Sequence, residues 1–162
     1  MQDIWANLLA NAAGPYGDDE VTPSFPTILM ELRARDVKFL DALFREATSK
    51  LRTTAGVRNI EKIKFSKVDL YIVYSGAGLA KFPVFQTSPH AEGDDPEDFR
   101  EDASDMDLSL DTFERNRVFV KVYEVPIRKG NTNTFGLGTN YSFTHLGACF
   151  VKACRDPRSR EK

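Results

Sequence analysis

The chain has 162 residues, and its 41% apolar and 28% charged residues are the composition of one ordinary globular domain. Its formal net charge of −2 argues against bulk electrostatic binding to nucleic acid or to an acidic membrane. No apolar run approaches the roughly 18 residues that span a bilayer, the N-terminus has no secretory signal, and 2 cysteines exclude a disulfide scaffold. We therefore expect a cytoplasmic protein with reduced thiols and no membrane partner.

Three helices are predicted in the N-terminal third of the chain. Residues 2–13 carry an apolar stripe that places Trp5 in the core. Residues 23–32 form a short helix with a proline in its first turn, where the missing N–H costs nothing. Residues 36–51 have the clearest helical pattern, with Asp36 as the residue that caps the N-terminus.

The middle of the chain is less regular. Residues 66–78 alternate like a strand, but Ser66 is a good helix cap, and the order of elements in a winged helix favours a helix here. Residues 87–106 are too polar to bury much surface, so we expect a mobile acidic loop. A short helix over residues 108–116 follows this loop.

The C-terminal part predicts a β-hairpin and a closing helix. Residues 117–125 are rich in β-forming side chains, residues 126–140 form a glycine-rich tip, and residues 141–143 return as the partner strand. Thr144 caps the last helix, and Gly147 in its first turn predicts a close approach of another backbone.

Together these elements predict a mainly α fold with a small β-hairpin, organised as a winged-helix-like helical domain. Residues 1–162 form a single domain, in which residues 1–33 are two leading helices. Residues 34–155 are the winged-helix-like core, which includes the flexible acidic loop at 87–106, and residues 156–162 are a charged tail.

Three stretches of the sequence carry a resemblance to a known family. They are IWANLLANAA at 4–13, VTPSFPTILMELRARDVKFLDAL at 21–43 and YSFTHLGACFVKAC at 141–154. Their order and spacing resemble the Abi-alpha (abortive infection alpha) family of bacterial proteins over residues 2–51 and 108–154. The resemblance implies a bacterial origin and a role in phage defence, and it implies no agreed catalytic residues.

The sequence offers weak candidates for metal or catalytic chemistry, and we predict no catalytic residue, cofactor or metal. His145 and Cys149 are four apart on the last predicted helix, but two ligands do not make a zinc site. With 2 histidines, one of them in the acidic loop, no set of nucleophile, base and orienting group is recognisable. A dense acidic cluster suggests metal-dependent nuclease chemistry, but its segment has almost no apolar anchor that would fix ligands. Its members are Asp94, Asp95, Glu97, Asp98, Glu101, Asp102, Asp105 and Asp107.

The predicted hairpin is the candidate binding surface. In period-two geometry Val118, Val120 and Val122 form an apolar face that we assign to the core. The opposite face mixes cations with aromatic side chains, and arginine and aromatic residues are enriched at binding hot spots. The alternative to a binding face is that these aromatic side chains pack under neighbouring helices. The candidate partner-binding residues are Arg115, Arg117, Phe119, Lys121, Tyr123, Arg128 and Lys129.

The distribution of charge along the chain ranks three hypotheses about function. The helix that would enter a DNA groove lies at 108–116, and residues 92–111 hold ten acids against one base, whereas phosphate contacts need positive charge. We therefore expect a non-enzymatic protein that binds an unknown protein partner. Because residues 115–162 hold ten Lys or Arg against three acids, a DNA-binding transcriptional regulator that uses the basic hairpin is the alternative. A nuclease that uses the acidic cluster is the least favoured hypothesis.

Overall fold

A computed structural model of the chain describes residues 2–12, 23–53, 59–80, 96–123 and 139–155. The described elements are, in chain order, α1 (Gln2–Ala12), α2 (Ser24–Glu31), α3 (Ala34–Thr53), a 3₁₀ turn (Ile60–Lys62), β1 (Phe65–Ser66), α4 (Lys67–Gly76), α5 (Pro96–Arg115), β2 (Phe119–Tyr123), β3 (Thr139–Phe143) and α6 (His145–Ala153). The described chain is mainly helical with a small antiparallel sheet, which confirms the predicted fold class. The order of its elements is compatible with a winged-helix-like arrangement.

Aromatic side chains from all three strands hold the small sheet against the helices. The strand order is β1-β3-β2 with both pairings antiparallel, so β3 is central. Phe119 and Phe143 are partners in the register, and their ring centroids lie 4.6 Å apart in an edge-to-face arrangement. The ring centroids of Phe65 in β1 and Phe113 in α5 lie 6.3 and 6.2 Å, respectively, from the ring centroid of Phe119. Such rings dominate a core because each removes a large apolar area from water.

The ambiguous segment at 66–78 contains a helix, as predicted, and its first turn shows why. The Ser66 hydroxyl accepts a hydrogen bond from the Asp69 N–H at 3.1 Å, and the Asp69 carboxylate accepts one from the Ser66 N–H at 2.9 Å. This reciprocal capping box satisfies two backbone donors that have no partner within the helix. Lys50 of α3 also donates to Asp69 at 3.2 Å, which ties the start of α4 to α3.

The prediction that Asp36 caps α3 from outside the helix is wrong, because α3 begins two residues earlier, at Ala34. Asp36 lies inside the first turn with no exposed surface. Its carboxylate accepts hydrogen bonds from the Arg33 N–H at 2.9 Å and from the Ser109 hydroxyl at 2.6 Å. The Arg33 guanidinium also donates to both carboxylate oxygens. This network caps α3 and joins it to α5.

The predicted acidic loop is wrong in its second half. The helix α5 begins at Pro96 rather than at residue 108, so residues 96–106 are helical. Proline is favoured at the first helical position, because the N–H that it lacks would have no partner there. Residues 87–95 lie outside the described residues, and their predicted mobility stays a prediction.

Charge pairing between helices stabilises the acidic part of α5 around Met106. Met106 is buried in the core with 1% of its surface exposed. Beside it, the Asp105 carboxylate lies 2.5 Å from the Arg35 guanidinium, and the Asp107 carboxylate lies 3.0 Å from the Lys67 ammonium. Composition alone assigned these acids to a loop because it contains no information about partners on other helices.

The first helix packs on the outside of α6. The Asn7 side chain donates a hydrogen bond to the Cys154 carbonyl at 3.3 Å, and Ile4 packs against the core. Trp5 is only partly buried, so the prediction that it is largely buried was too strong. An apolar cavity of about 90 Å³ lies between α1, α2, α3 and α6.

The closing helix begins where its backbone touches the backbone of Val118. The Thr144 hydroxyl accepts a hydrogen bond from the Gly147 N–H at 2.9 Å and donates one to the Arg117 carbonyl. The Thr144 N–H donates to the Val118 carbonyl at 3.1 Å. A methyl group on Gly147 would lie 2.1 Å from the Val118 oxygen, which no real contact permits. The predicted close approach at Gly147 is confirmed.

Gly147→Ala is expected to lower the free energy of unfolding by about 3 kcal/mol or more, because the added methyl group meets backbone that cannot rotate aside. Gly76→Ala is the matched control, since a methyl group there has nothing within 4 Å at the end of α4. For the control we expect a gain of up to about 1 kcal/mol. Urea unfolding midpoints measure both variants, and equal effects would contradict the close approach.

Asp36→Asn is expected to lower the free energy of unfolding by about 3 kcal/mol at neutral pH, because it removes the charge from a buried network. Burial raises the pKa of Asp36, but the hydrogen bonds from Arg33 and Ser109 outweigh burial and hold the pKa below its usual range. A carboxylate with a lowered pKa stabilises the fold above its unfolded pKa of about 3.9. This stabilisation is lost as the pH falls through the lower folded value.

Urea titrations at about pH 7 and about pH 3 check this dependence, and the difference between wild type and Asp36→Asn should shrink at the lower pH. Asp41→Asn is the control, because its half-exposed carboxylate pairs with Arg45 at 2.9 Å and Arg155 at 3.1 Å. Asp41→Asn should lower the free energy of unfolding by less than about 1 kcal/mol. A difference for Asp36→Asn that does not change with pH would contradict the assignment.

Candidate functional site

Part of the predicted binding surface is exposed at the end of α5 and along β2. We define the hairpin surface by its exposed side chains, which are Arg115, Arg117, Val120 and Tyr123. Tyr123 is 69% exposed and Val120 is 44% exposed, although both are large apolar side chains. Arg128 and Lys129, which the sequence also assigned to this surface, lie outside the described residues.

Phe119 does not belong to the hairpin surface, and the predicted faces of β2 are wrong at this residue. Phe119 is 2% exposed and packs on Phe143, whereas Val120, assigned to the core, is exposed. Val118 is buried as predicted, but it precedes the strand, so its burial does not report which strand face is inside. Within the strand the ring of Phe119 buries more apolar area than a valine, and it takes the inner face.

Lys121 is engaged within the molecule. Its ammonium lies 2.8 Å from a carboxylate oxygen of Glu114 and 5.9 Å from the centroid of the Tyr141 ring. The hydrogen bond to Glu114 raises the pKa of Lys121 and keeps the side chain charged. Lys121 therefore braces β2 against α5, and the cations of the hairpin surface are Arg115 and Arg117.

The helices α4 and α5 end in the same hydrogen-bonded motif. In α4 the Leu79 N–H donates to the Tyr74 carbonyl at 3.3 Å, and the Gly78 N–H donates to the Ser75 carbonyl at 2.8 Å. This pair of bonds defines a Schellman motif, in which the residue after the cap has left-handed φ and is usually glycine. Gly78 has a φ of 65° and follows that rule.

At the end of α5 an arginine occupies the position of the glycine. The Val118 N–H donates to the Phe113 carbonyl at 2.8 Å, and the Arg117 N–H donates to the Glu114 carbonyl at 2.9 Å. Arg117 has a φ of 54°, and it is the one residue other than glycine with positive φ in the described part of the chain. A side chain in this region costs about 1–2 kcal/mol relative to ordinary backbone.

The described solvent face of α5 carries one acid and one base, Asp111 and Arg115. Its apolar member, Leu108, is 50% exposed. Among the described side chains of α5 only Arg115 is positive, and Asp107 and Glu114 flank the face. The exposed residues of this face are Ser104, Leu108, Asp111 and Arg115.

A second polar cluster lies at the start of α6, and the sequence identified only two of its members. His145 and Cys149 share one side of the helix, with 3.7 Å between His145 Nε2 and Cys149 Sγ. The other ring nitrogen, His145 Nδ1, lies 3.0 Å from Glu61 Oε1 on the 3₁₀ turn. The structure therefore places the thiol beside one nitrogen of the imidazole and the carboxylate beside the other.

Glu61 was missed because it lies 84 residues from His145 and no local pattern connects the two. The spacing of His145 and Cys149 was the only signal of the cluster in the sequence. Within the described ranges, no group of three or more His, Cys, Asp or Glu side chains is arranged to hold a metal ion. Two members of the acidic cluster, Asp105 and Asp107, pair with basic side chains instead.

These observations define a mainly helical protein with a small antiparallel sheet and an exposed surface of arginines and apolar side chains beside β2. The chain belongs to the abortive infection alpha family, whose profile matches residues 1–154. The match confirms the resemblance seen in the sequence and associates the chain with abortive infection. No curated protein and no solved structure matches the chain. No helix in the described ranges is long and apolar enough to cross a membrane.

Phe119→Ala and Tyr123→Ala test the corrected faces of β2. Phe119→Ala is expected to lower the free energy of unfolding by about 3–5 kcal/mol, because the ring fills the core between β3 and α5. Tyr123→Ala should change it by less than about 0.5 kcal/mol, because the side chain is largely exposed. Urea unfolding of both variants measures the difference. A small effect of both variants would restore the assignment made from the sequence, which placed Phe119 and Tyr123 together on the exposed face.

Proposed function

We propose that the protein is a non-enzymatic factor of bacterial phage defence, and that it acts by binding a protein partner through the hairpin surface. The family supports the association with abortive infection. The hairpin surface supports binding, because Arg115 and Arg117 before β2 and Tyr123 at its end are all exposed, and these residue types carry most of the energy in protein interfaces.

The observation that carries the proposal is the backbone of Arg117. A glycine at this position would relieve about 1–2 kcal/mol of strain and would add only about 0.4–1 kcal/mol of unfolded-state entropy. Stability therefore does not account for the arginine. Its side chain is exposed and its carbonyl is held by the Thr144 hydroxyl, so the guanidinium projects from a fixed point of the backbone. Backbone strain of this kind is typical of binding residues.

The charge of α5 supports a protein partner over DNA. In a winged-helix-like arrangement α5 takes the place of the helix that reads the major groove. Its exposed face carries Leu108, Asp111 and Arg115, and the Asp107 and Glu114 carboxylates beside this face pair with Lys67 and Lys121. Such a face has no excess of positive charge for phosphates, and its exposed leucine suits a protein partner.

Arg115 and Arg117 favour one second candidate, a DNA-binding transcriptional regulator that uses the hairpin. Both guanidinium groups are exposed next to β2. Arginines at the start of a hairpin can contact the DNA backbone even when the preceding helix does not enter a groove. In that case binding would fall steeply with salt.

Arg117→Gly is expected to abolish phage protection and to leave the free energy of unfolding unchanged or slightly higher, because the strain relieved exceeds the entropy added. Plaque assays in cells that express each variant measure protection, and urea unfolding measures stability. Arg52→Ala is the control, because it removes an exposed arginine from the last turn of α3, away from β2. Full protection by the Arg117→Gly variant would contradict the proposal.

A photo-crosslinking residue in place of the exposed Val120 identifies the class of partner. We expect a covalent adduct with protein in infected cells, and we expect the same adduct to be lost when Arg117→Gly is added. An adduct with DNA that is lost in the same way would support the regulator and contradict the protein partner.

A further inference from the structure

The cluster at the start of α6 contains chemistry that partner binding does not use. We infer that Cys149 is a selectively reactive thiol with His145 as its base, and that it exchanges with low-molecular-weight disulfides to form a mixed disulfide. The inference does not depend on the hairpin surface, because the cluster lies on α6 and the 3₁₀ turn.

The geometry sets the roles of the two ring nitrogens of His145. Glu61 Oε1 lies 3.0 Å from Nδ1, so in the neutral ring the carboxylate binds the proton on Nδ1 and leaves the lone pair on Nε2. That lone pair faces the thiol of Cys149, whose sulfur lies 3.7 Å away. The backbone and His145 both donate to Glu61 and hold its pKa below the usual range, so the carboxylate is charged at neutral pH.

Access favours Cys149 over the second thiol of the chain. The His145 side chain is 86% exposed, and Cys149 is partly exposed beside it. Cys154 lines the apolar cavity under α1, where burial raises the pKa of its thiol to about 12. Since the thiolate is the nucleophile, we expect Cys154 to react more slowly at neutral pH, and it serves as a reference within the same molecule.

The proposed exchange balances with the small disulfide as its oxidant. His145 Nε2 accepts the thiol proton, and the Cys149 sulfur attacks one sulfur of the small disulfide. The new bond joins Cys149 to that sulfur, and the original disulfide bond breaks. The released thiolate takes up the proton from His145, so the products are one mixed disulfide and one free small thiol.

Two other uses of the cluster have less support from the structure. Covalent catalysis of acyl transfer needs donors for an oxyanion, but Cys149 is the fifth residue of α6, where the backbone N–H groups belong to the helix ladder. Zinc with bond lengths of about 2.3 Å to sulfur and about 2.05 Å to nitrogen would place the two ligands about 3.5 Å apart. The observed 3.7 Å is close to that value, but Glu61 already binds the other ring nitrogen, and a second copy of the chain would have to complete the site.

The test measures the rate of mixed-disulfide formation at each cysteine of the full chain. Oxidised glutathione is added at neutral pH, and peptide mass spectrometry locates the adduct. We expect Cys149 to react at least about tenfold faster than Cys154. His145→Gln should slow Cys149 about tenfold, because the base is removed while an exposed side chain of similar size remains. Glu61→Gln should slow it by a smaller factor, and Glu46→Gln, a partly exposed acid on α3, should leave the rate unchanged.

Three results would overturn the inference. They are an unreactive Cys149 in the wild type, equal rates at the two cysteines, and an unchanged rate in His145→Gln with an unchanged melting temperature. A zinc control separates the metal alternative. If Zn²⁺ protects Cys149 and light scattering shows that it converts monomers to dimers, the cluster is a shared metal site and the inference is wrong. If Zn²⁺ does neither, the reactive thiol is supported.

Discussion

The backbone of α6 contacts the backbone of Val118 in the first turn of the helix. This contact sets the positions of β3 and α6. Gly147 has room for a hydrogen atom but not for a methyl group, and the Thr144 side chain bonds both its own helix and the turn before β2. Because β3 runs directly into α6, the contact that fixes the helix also fixes the strand between its two neighbours. The first helix then rests on α6 through Asn7. The close contact between Gly147 and Val118 therefore helps to orient both α6 and the first helix, α1.

A second junction, between buried polar side chains, joins α3 to α5 at Ser109. Asp36 is buried with its charge, and a buried carboxylate is tolerated only where donors surround it, as the guanidinium and N–H of Arg33 and the hydroxyl of Ser109 do here. Both junctions hold the C-terminal part of α5, one at Ser109 and the other just beyond Arg115. The hairpin surface therefore begins at the end of a helix that is held at two points.

Much of the fold follows from local sequence, and the parts that do not follow depend on distant partners. The stripes of α3 and α6 and the cap at Ser66 were predictable, because each depends on residues within a few positions. The close approach at Gly147 was predictable because a glycine in a first helical turn otherwise costs helix stability. The helical course of residues 96–107 was not, since two of its acids, Asp105 and Asp107, pair with arginine and lysine on other helices. Neither the inner position of Phe119 nor the strained backbone of Arg117 appears in any periodicity. Glu61 contacts His145 only in the folded chain, so the carboxylate of that cluster could not be predicted from the sequence.

The strand order has a consequence for how the chain is made. The central strand, β3, is the last of the three to be synthesised, and both of its neighbours need it before they have a partner. Phe65 pairs with Tyr141 in the register, so no strand of the described sheet can pair until β3, at Thr139–Phe143, has left the ribosome. Contacts so distant in sequence slow folding. Until β3 and α6 are in place the rings of the unfinished core stay exposed, and exposed apolar surface of this kind makes a nascent chain prone to aggregation.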